Sequence, residues 1–401
     1  MFKPSAQLIA ALLATLSVPA ALAQSMPATV DQPVEITYYN YNLASTGIGA
    51  EATRGMVEAF EAANPNITVN AVPVQSTEMV SRTQADLAAG IGPDVTQTVF
   101  DDLAYTIDNF GAAALEDIVP ADELAAHFDG MSENGLNLGR LNGKTYALAY
   151  TFSTPVLFYN ADLFRAAGLD PDQPPATWDA LREAGVAIAE QTDASPFEAA
   201  IVGAGSGGDD WVLQSVILSN GGRTLSEDRT TLTFAEPEAI QAIQTMRDLH
   251  DAGVYGATDL GSSMEAMASG QLGMYLTSSV LQAYFIAGSE GKFELRSAAM
   301  PGFGDRPASP TNSGSGLVIH TADPLKQRAA WELMKFMTSR EAYTTITSQI
   351  GYVPLRTDIV TDPAYLADWV AEHPLVQPNL DQLERLEPWV AYPGPNCRQI
   401  N

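Results

Sequence analysis

The sequence holds a single cysteine, Cys397, in 401 residues. One thiol excludes an intramolecular disulfide framework, a multi-cysteine metal centre and a paired redox motif. Histidine is nearly as scarce: His127, His250, His320 and His373 stand far apart, without the H-x-x-x-H or H-E-x-x-H spacing of a zinc helix. Basic residues number 20 against 48 acidic ones, for a formal net charge of −28. No Lys/Arg cluster interrupts that background, so the basic stripe that nucleic-acid phosphates require is missing and nucleic acid is not an expected partner. Past the N-terminal segment, no stretch approaches the ~18 consecutive apolar residues of a membrane-spanning helix. Internal repeats and low-complexity blocks are also missing.

What is present suits a folded, exported protein. Hydrophobic residues make up 46% and charged residues only 17%, enough apolar material for a core. The length accommodates two domains of roughly 190 residues each. Residues 1–23 read as a signal peptide: Lys3 gives a positive start, Leu8 to Val18 an apolar run, Pro19 a helix break, and Ala21-Leu22-Ala23 a cleavage site before Gln24. The expected product is periplasmic, and with no cysteine after the cleavage site it carries no lipid anchor there.

Strand and helix patterns alternate from the start. Val34 to Tyr39, Ile67 to Val72 and Asp94 to Val99 read as strands, and Ala50 to Ala63 and Ser81 to Ala89 as helices. This alternation predicts an α/β lobe with a largely parallel sheet. Two further strand-like pieces, Tyr146 to Tyr150 and Val156 to Tyr159, flank Thr151-Phe152-Ser153-Thr154-Pro155, a short polar segment suited to a crossing between lobes. Later helices follow Thr177, run from Pro237 to Ala252, and run from Leu325 to Met337.

Enzymatic signatures fail on inspection. Gly203 to Gly208 resembles a phosphate-cradling loop, but no Lys-Ser/Thr pair follows and Asp209-Asp210 would repel phosphate. Asn312-Ser313-Gly314-Ser315-Gly316 does not align with a nucleophile elbow, and His320 is a lone candidate base. Aromatic residues are more suggestive. Tyr38, Tyr39 and Tyr41, with Asn40 and Asn42, crowd the C-terminal end of the first strand, where open α/β sheets gather ligands. Tyrosine rings and amides suit polyols and sugars, which makes Tyr39 a binding candidate; Trp178 and Trp211 are candidate ligand walls or packing residues.

Several segments together resemble the extracellular solute-binding proteins of bacterial ABC importers, family 1, and within it the branch that binds sn-glycerol-3-phosphate. The strongest runs from Ser153 to Trp178: Tyr159-Asn160, Asp162-Leu163-Phe164, Ala167-Gly168-Leu169-Asp170, Pro174-Pro175 and Thr177-Trp178. Ala62-Ala63-Asn64-Pro65, Gly92-Pro93-Asp94-Val95, Phe234 to Glu238 and Gly351-Tyr352-Val353-Pro354-Leu355 extend it over nearly the whole chain.

The resemblance implies a two-lobed periplasmic-binding-protein fold (type II) with the ligand cleft between lobes. It implies a hinge crossed near Tyr150 to Pro155, Pro310 to Gly314 and Met337 to Arg340. Residues 24–150 and 314–338 would form the N-terminal lobe, and 155–310 and 341–401 the C-terminal lobe. Carried over residue by residue, ligand contacts fall on Ser153, Ser278, Gly314, Tyr352 and Tyr39, and near Thr77 and Asp101. The family's phosphate-binding arginine position falls on Asn401, with Arg398 nearby as a substitute. The implied protein is a monomer without cofactor or catalysis. It captures sn-glycerol-3-phosphate or a glycerophosphodiester for an inner-membrane permease with a cytoplasmic ATPase. A neutral saccharide is the alternative ligand, and a secreted hydrolase the remote one.

Overall fold

The computed structural model describes residues 26–45, 48–201 and 210–394. The expected signal peptide, the glycine-rich loop at Gly203–Gly208, Cys397 and Arg398 lie outside the described residues.

Two mixed sheets, one per lobe, organise the chain. The first takes β1 (Val34–Asn40), β2 (Ile67–Pro73), β3 (Val95–Val99), β4 (Ala147–Ser153) and β9 (Ser313–Ile319) in the order β2-β1-β3-β9-β4. The second takes β5 (Pro155–Asn160), β6 (Ser195–Ala199), β7 (Leu272–Ser278) and β8 (Leu295–Ala299) in the order β8-β5-β7-β6. β1, β2 and β3 are parallel, as the alternating pattern predicts, but β9 runs antiparallel to both β3 and β4. That strand returns late in the chain from the other lobe, so local periodicity carries no sign of its direction.

Helices cover both sheets by burying one face. In α1 (Ile48–Ala63), Met56, Val57 and Phe60 are buried at helical spacing. Asn64 ends it, bonding the Phe60 carbonyl through both its backbone and its side chain. In the C-terminal lobe, α2 (Trp178–Gln191) starts at Thr177, whose hydroxyl accepts from the Ala180 N–H. α3 (Pro324–Met337) starts at Asp323 with proline in its first turn. It buries Ala329, Ala330, Trp331, Leu333, Met334 and Met337 against the first sheet.

The family-like motif after the first crossing has structural work of its own. Asn160 caps the next helix by accepting from the Asp162 and Leu163 N–H groups, and the Tyr159 hydroxyl donates to the Pro171 carbonyl.

The lobes meet where strands pass from one sheet to the other. β4 ends at Ser153 and β5 begins at Pro155, so Thr154 is the first crossing. The second leads from Ala299 to Ser313. The third differs from the expectation at Met337–Arg340. Past that point Arg356 still donates to the carbonyls of Thr338, Asp129 and His127, and the Ser132 N–H still bonds the Leu355 carbonyl, all within the N-terminal lobe. The first tie to the second sheet comes at Leu375, whose carbonyl accepts from Ser297 in β8. The stretch 340–358 therefore packs with the N-terminal lobe instead of opening the C-terminal one. A buried arginine holding three carbonyls ties this stretch to the N-terminal lobe.

One half-buried and one buried histidine make the fold sensitive to acid. Burial, with Arg356 and Lys335 nearby, lowers the His127 pKa to about 3, and burial lowers that of His320 to about 4. Both are depressed below the unfolded value, so the unfolded chain binds more protons. Their contribution is complete above about pH 6.5 and is lost as pH falls toward 4. Unfolding free energy from urea titrations is expected to fall by about 1.4 kcal/mol per pH unit for each proton taken up. A flat profile between pH 6.5 and 4.5 contradicts this assignment.

Candidate ligand cleft

The C-terminal ends of β1, β3 and β4 and the start of β9 lie at one end of the first sheet, since Ser313 pairs with Ser153 and Ser315 with Val99. The second sheet brings Pro155 opposite Ser278 at its matching end. As a result the Ser278 hydroxyl donates to the Ser153 hydroxyl at 2.8 Å, across the junction of the two lobes. Gly314, paired with Phe152, has φ +108°, and a Cβ there would stand 2.1 Å from the Thr151 carbonyl oxygen. The Val353 N–H bonds the Phe152 carbonyl at 2.9 Å and so brings Tyr352 to the same end. Burial raises the Tyr352 phenol well above its ordinary pKa, with the Tyr41 phenol close by. Ser153, Ser278, Gly314 and Tyr352 thus come together.

Other sequence candidates are placed less uniformly. Asp101 is buried in the turn after β3, beside Asp102, and Thr77 is exposed in the turn after β2. Both turns are at the same sheet end. Trp211 is buried, and its carbonyl accepts from the Thr311 hydroxyl at 2.7 Å beside the second crossing.

Tyr39 and Trp178 do not present a ring to this group. Tyr39 packs against Val74 and Met79, and its hydroxyl is bound by the Asp86 carboxylate, which also pairs with Arg82. Strand alternation turns it to the opposite face from its neighbours Tyr38 and Asn40. Trp178 is wedged between Phe197 and Phe303. A cavity of about 390 Å³ beside it is lined by Asp179, Arg182, Thr245 and Asp248 and contains none of the clustered residues.

The supporting network went unread in the sequence. Gln97, fully buried in β3, donates to Asn42, Thr151 and Ser315 at 3.0–3.2 Å and accepts from the Tyr41 N–H at 3.1 Å. The Tyr41 hydroxyl lies 3.1 Å from that of Thr151. The available signal was Thr96-Gln97-Thr98, three polar residues inside a strand whose neighbours demanded burial on both faces.

Chemically, this is a set of neutral hydrogen-bonding groups, with the buried Asp101–Asp102 turn at the same sheet end. Among the described residues the serine pair is bonded to no base, and no cluster of three or more His, Cys, Asp or Glu could hold a metal. Paired neutral hydroxyls of this kind match a ligand rich in hydroxyl groups.

Two α/β lobes with a polar cluster at their junction define the class of two-lobed solute-binding proteins. The chain belongs to the bacterial extracellular solute-binding protein family, whose model matches residues 55–377. Among its relatives, a binding protein of Brucella abortus is 28% identical over 87% of this chain and 81% of its own length. The sn-glycerol-3-phosphate-binding periplasmic protein UgpB of Salmonella typhimurium is 26% identical over 75% of this chain and 70% of its own. In structure the chain is similar to the cyclic alpha-maltosyl-1,6-maltose binding protein of Arthrobacter globiformis, with TM-score 0.77 and 25% identity over 89% and 88% of the two chains. It is also similar to UgpB of Mycobacterium tuberculosis in complex with glycerophosphocholine, with TM-score 0.76 and 23% identity over 92% and 91%. Among the described residues no helix is long and apolar enough to cross a membrane.

Single hydroxyl deletions are expected to separate affinity from stability. Ser153→Ala and Tyr352→Phe should each cost roughly 0.5–1.5 kcal/mol of ligand affinity. The unliganded melting temperature should hardly move, because the partners left behind, Ser278 and Tyr41, are partly exposed and water can replace the lost hydroxyl. Calorimetric titration beside a melting curve checks both. A variant that melts several degrees lower with unchanged affinity is structural.

Proposed function

We propose that this protein is the periplasmic solute-binding component of an ABC importer, capturing sn-glycerol-3-phosphate or a glycerophosphodiester by closure of the two lobes and delivering it to a membrane permease. The observation that carries capture is the hydroxyl pair Ser153–Ser278, one group from each lobe, with Gly314 and Tyr352 alongside. A ligand bonded there touches both lobes at once, so binding favours the closed arrangement over the open one. The glycerol phosphate reading is supported by the UgpB relatives, and the low density of charge fits recognition of the glycerol hydroxyls.

A second reading, a neutral saccharide, is favoured by the absence of any cation among the clustered residues, and by the maltose-type ligand named for the Arthrobacter protein. A ligand that binds only the folded state raises its melting midpoint. A thermal-shift panel of sn-glycerol-3-phosphate, glycerophosphocholine, glycerol and maltose should therefore single out one class. No shift with any of them at saturating concentration counts against capture.

A further inference from the structure

The cluster at the lobe junction has no positive charge, so a phosphate-bearing ligand needs a cation from elsewhere. The loop between the helix Trp211–Ser219 and the helix Pro237–Asp251 supplies a candidate. The loop closes on itself through a Leu225–Leu232 bridge and a Ser226 N–H to Thr231 carbonyl bond of 2.9 Å. The Asp228 carboxylate accepts from Ser226 and Thr230, so it is occupied within the loop. Arg229 forms the tip with φ +59°, a conformation rarely held by a residue with a side chain.

The direction of its guanidinium is fixed by an extended strap, residues 387–392. Glu387 pairs in parallel with Thr311, the Trp389 N–H bonds the Asn312 side chain at 2.8 Å, and Gln214 both donates to and accepts from Val390. The strap therefore runs alongside the crossing segment that leads into Ser313 and Gly314, and in the same direction. At its far end the Ala391 carbonyl accepts from Arg229 Nη2 at 2.8 Å. That pins the half-buried guanidinium at the strap end, two residues past the Trp389–Asn312 contact beside the crossing segment. Asp108, in the helix after the Asp101–Asp102 turn of the opposite lobe, is the charge whose field reaches it. Among the described residues no carboxylate forms an ion pair with Arg229. A guanidinium has five N–H donors in a planar fork suited to phosphate, and one bond to a carbonyl leaves most of them open.

Building on the capture reading, we propose that Arg229 is a specificity-determining residue that binds the anionic group of the ligand, so that the cleft selects phosphate-bearing polyols over neutral ones. The bland role for the same side chain is to pin the strap through Ala391, and the test must tell the two apart. Calorimetric titrations of the full protein, Arg229→Gln and Arg229→Lys would use sn-glycerol-3-phosphate, glycerophosphocholine and maltose at two salt concentrations, beside melting curves.

Arg229→Gln is expected to weaken both phosphate ligands about tenfold or more and to flatten their salt dependence. Any affinity for maltose should be unchanged, and Arg229→Lys should recover part of the loss because it restores the charge without the fork. An unchanged affinity for the phosphate ligands overturns the proposal. So does a loss shared equally by all ligands with a lower melting temperature, which is the strap-pinning result. Wild-type protein that binds maltose alone overturns this inference and leaves capture standing, whereas wild-type protein that binds none of the probes overturns both.

Discussion

Gln382→Leu is expected to destabilise the protein by about 3 kcal/mol or more and to weaken every ligand by the same factor. Gln382 is fully buried at the junction of two crossings. Its amide nitrogen donates to the Thr154 hydroxyl and the Pro155 carbonyl, each at 2.7 Å, and its oxygen accepts from the Met300 N–H at 3.2 Å. The Thr154 hydroxyl in turn donates a hydrogen bond to the Asn379 side-chain carbonyl, which completes the chain of bonds. Leucine fills the same space but leaves a buried N–H and a buried carbonyl without this partner, at about 1–3 kcal/mol each. Each crossing would then lose its tie through Gln382, leaving Thr154–Asn379 at the first and Arg385–Ala308 at the second. Because apparent affinity scales with the fraction of molecules able to close, a misplaced hinge lowers affinity without touching the ligand. Urea unfolding and calorimetric titration read the two effects. Wild-type stability with wild-type affinity would remove Gln382 from the hinge.

Gly314→Ala should be comparably damaging, and for a reason that lies in the backbone. At φ +108° an alanine is strained whatever the space, and its Cβ would stand 2.1 Å from the Thr151 carbonyl oxygen and 2.8 Å from Phe152 Cα. Backbone atoms cannot swing aside, so β9 must move away from β4 where Ser153 is held. The melting temperature is expected to fall by several degrees and affinity to drop at least tenfold. If affinity vanishes while the melting temperature holds, Gly314 acts only as open space for the ligand. If both hold, the strand register at Gly314 is not the constraint described.

The parts of this fold that sequence reveals are those written in local chemistry. Asn160 and Thr177 cap helices, Asn64 ends one, and Met56, Val57 and Phe60 recur at helical spacing, so the strands and helices read from the sequence fall within a residue or two of their positions, except that β4 runs three residues past Tyr150 to Ser153. Ser153, Ser278, Gly314 and Tyr352 are legible because they sit inside family-like segments, and the structure does bring them together. Tyr39 misleads because a tyrosine at a strand end gives no sign of which face it takes; Val74, Met79 and Asp86 decide that. The third crossing differs from the one the resemblance implies because Arg356 binds the carbonyls of Thr338, Asp129 and His127, partners that no local spacing connects to it. Gln97 and Gln382 are illegible for a shared reason. A single buried amide is recognisable only by partners 50 to 230 positions away, and no spacing rule connects Gln97 to Ser315 or Gln382 to Thr154.

Isothermal titration calorimetry of the intact protein with sn-glycerol-3-phosphate, glycerophosphocholine and maltose tests the central claim most directly, because it registers both binding and turnover. The account predicts a saturable isotherm with one ligand per protein for at least one member of the panel, and heat that returns to baseline after each injection. Continuous heat proportional to protein concentration would reveal catalysis, and no heat from any of them would deny capture; either result contradicts the assignment of this cleft as a site that binds its solute and releases it unchanged.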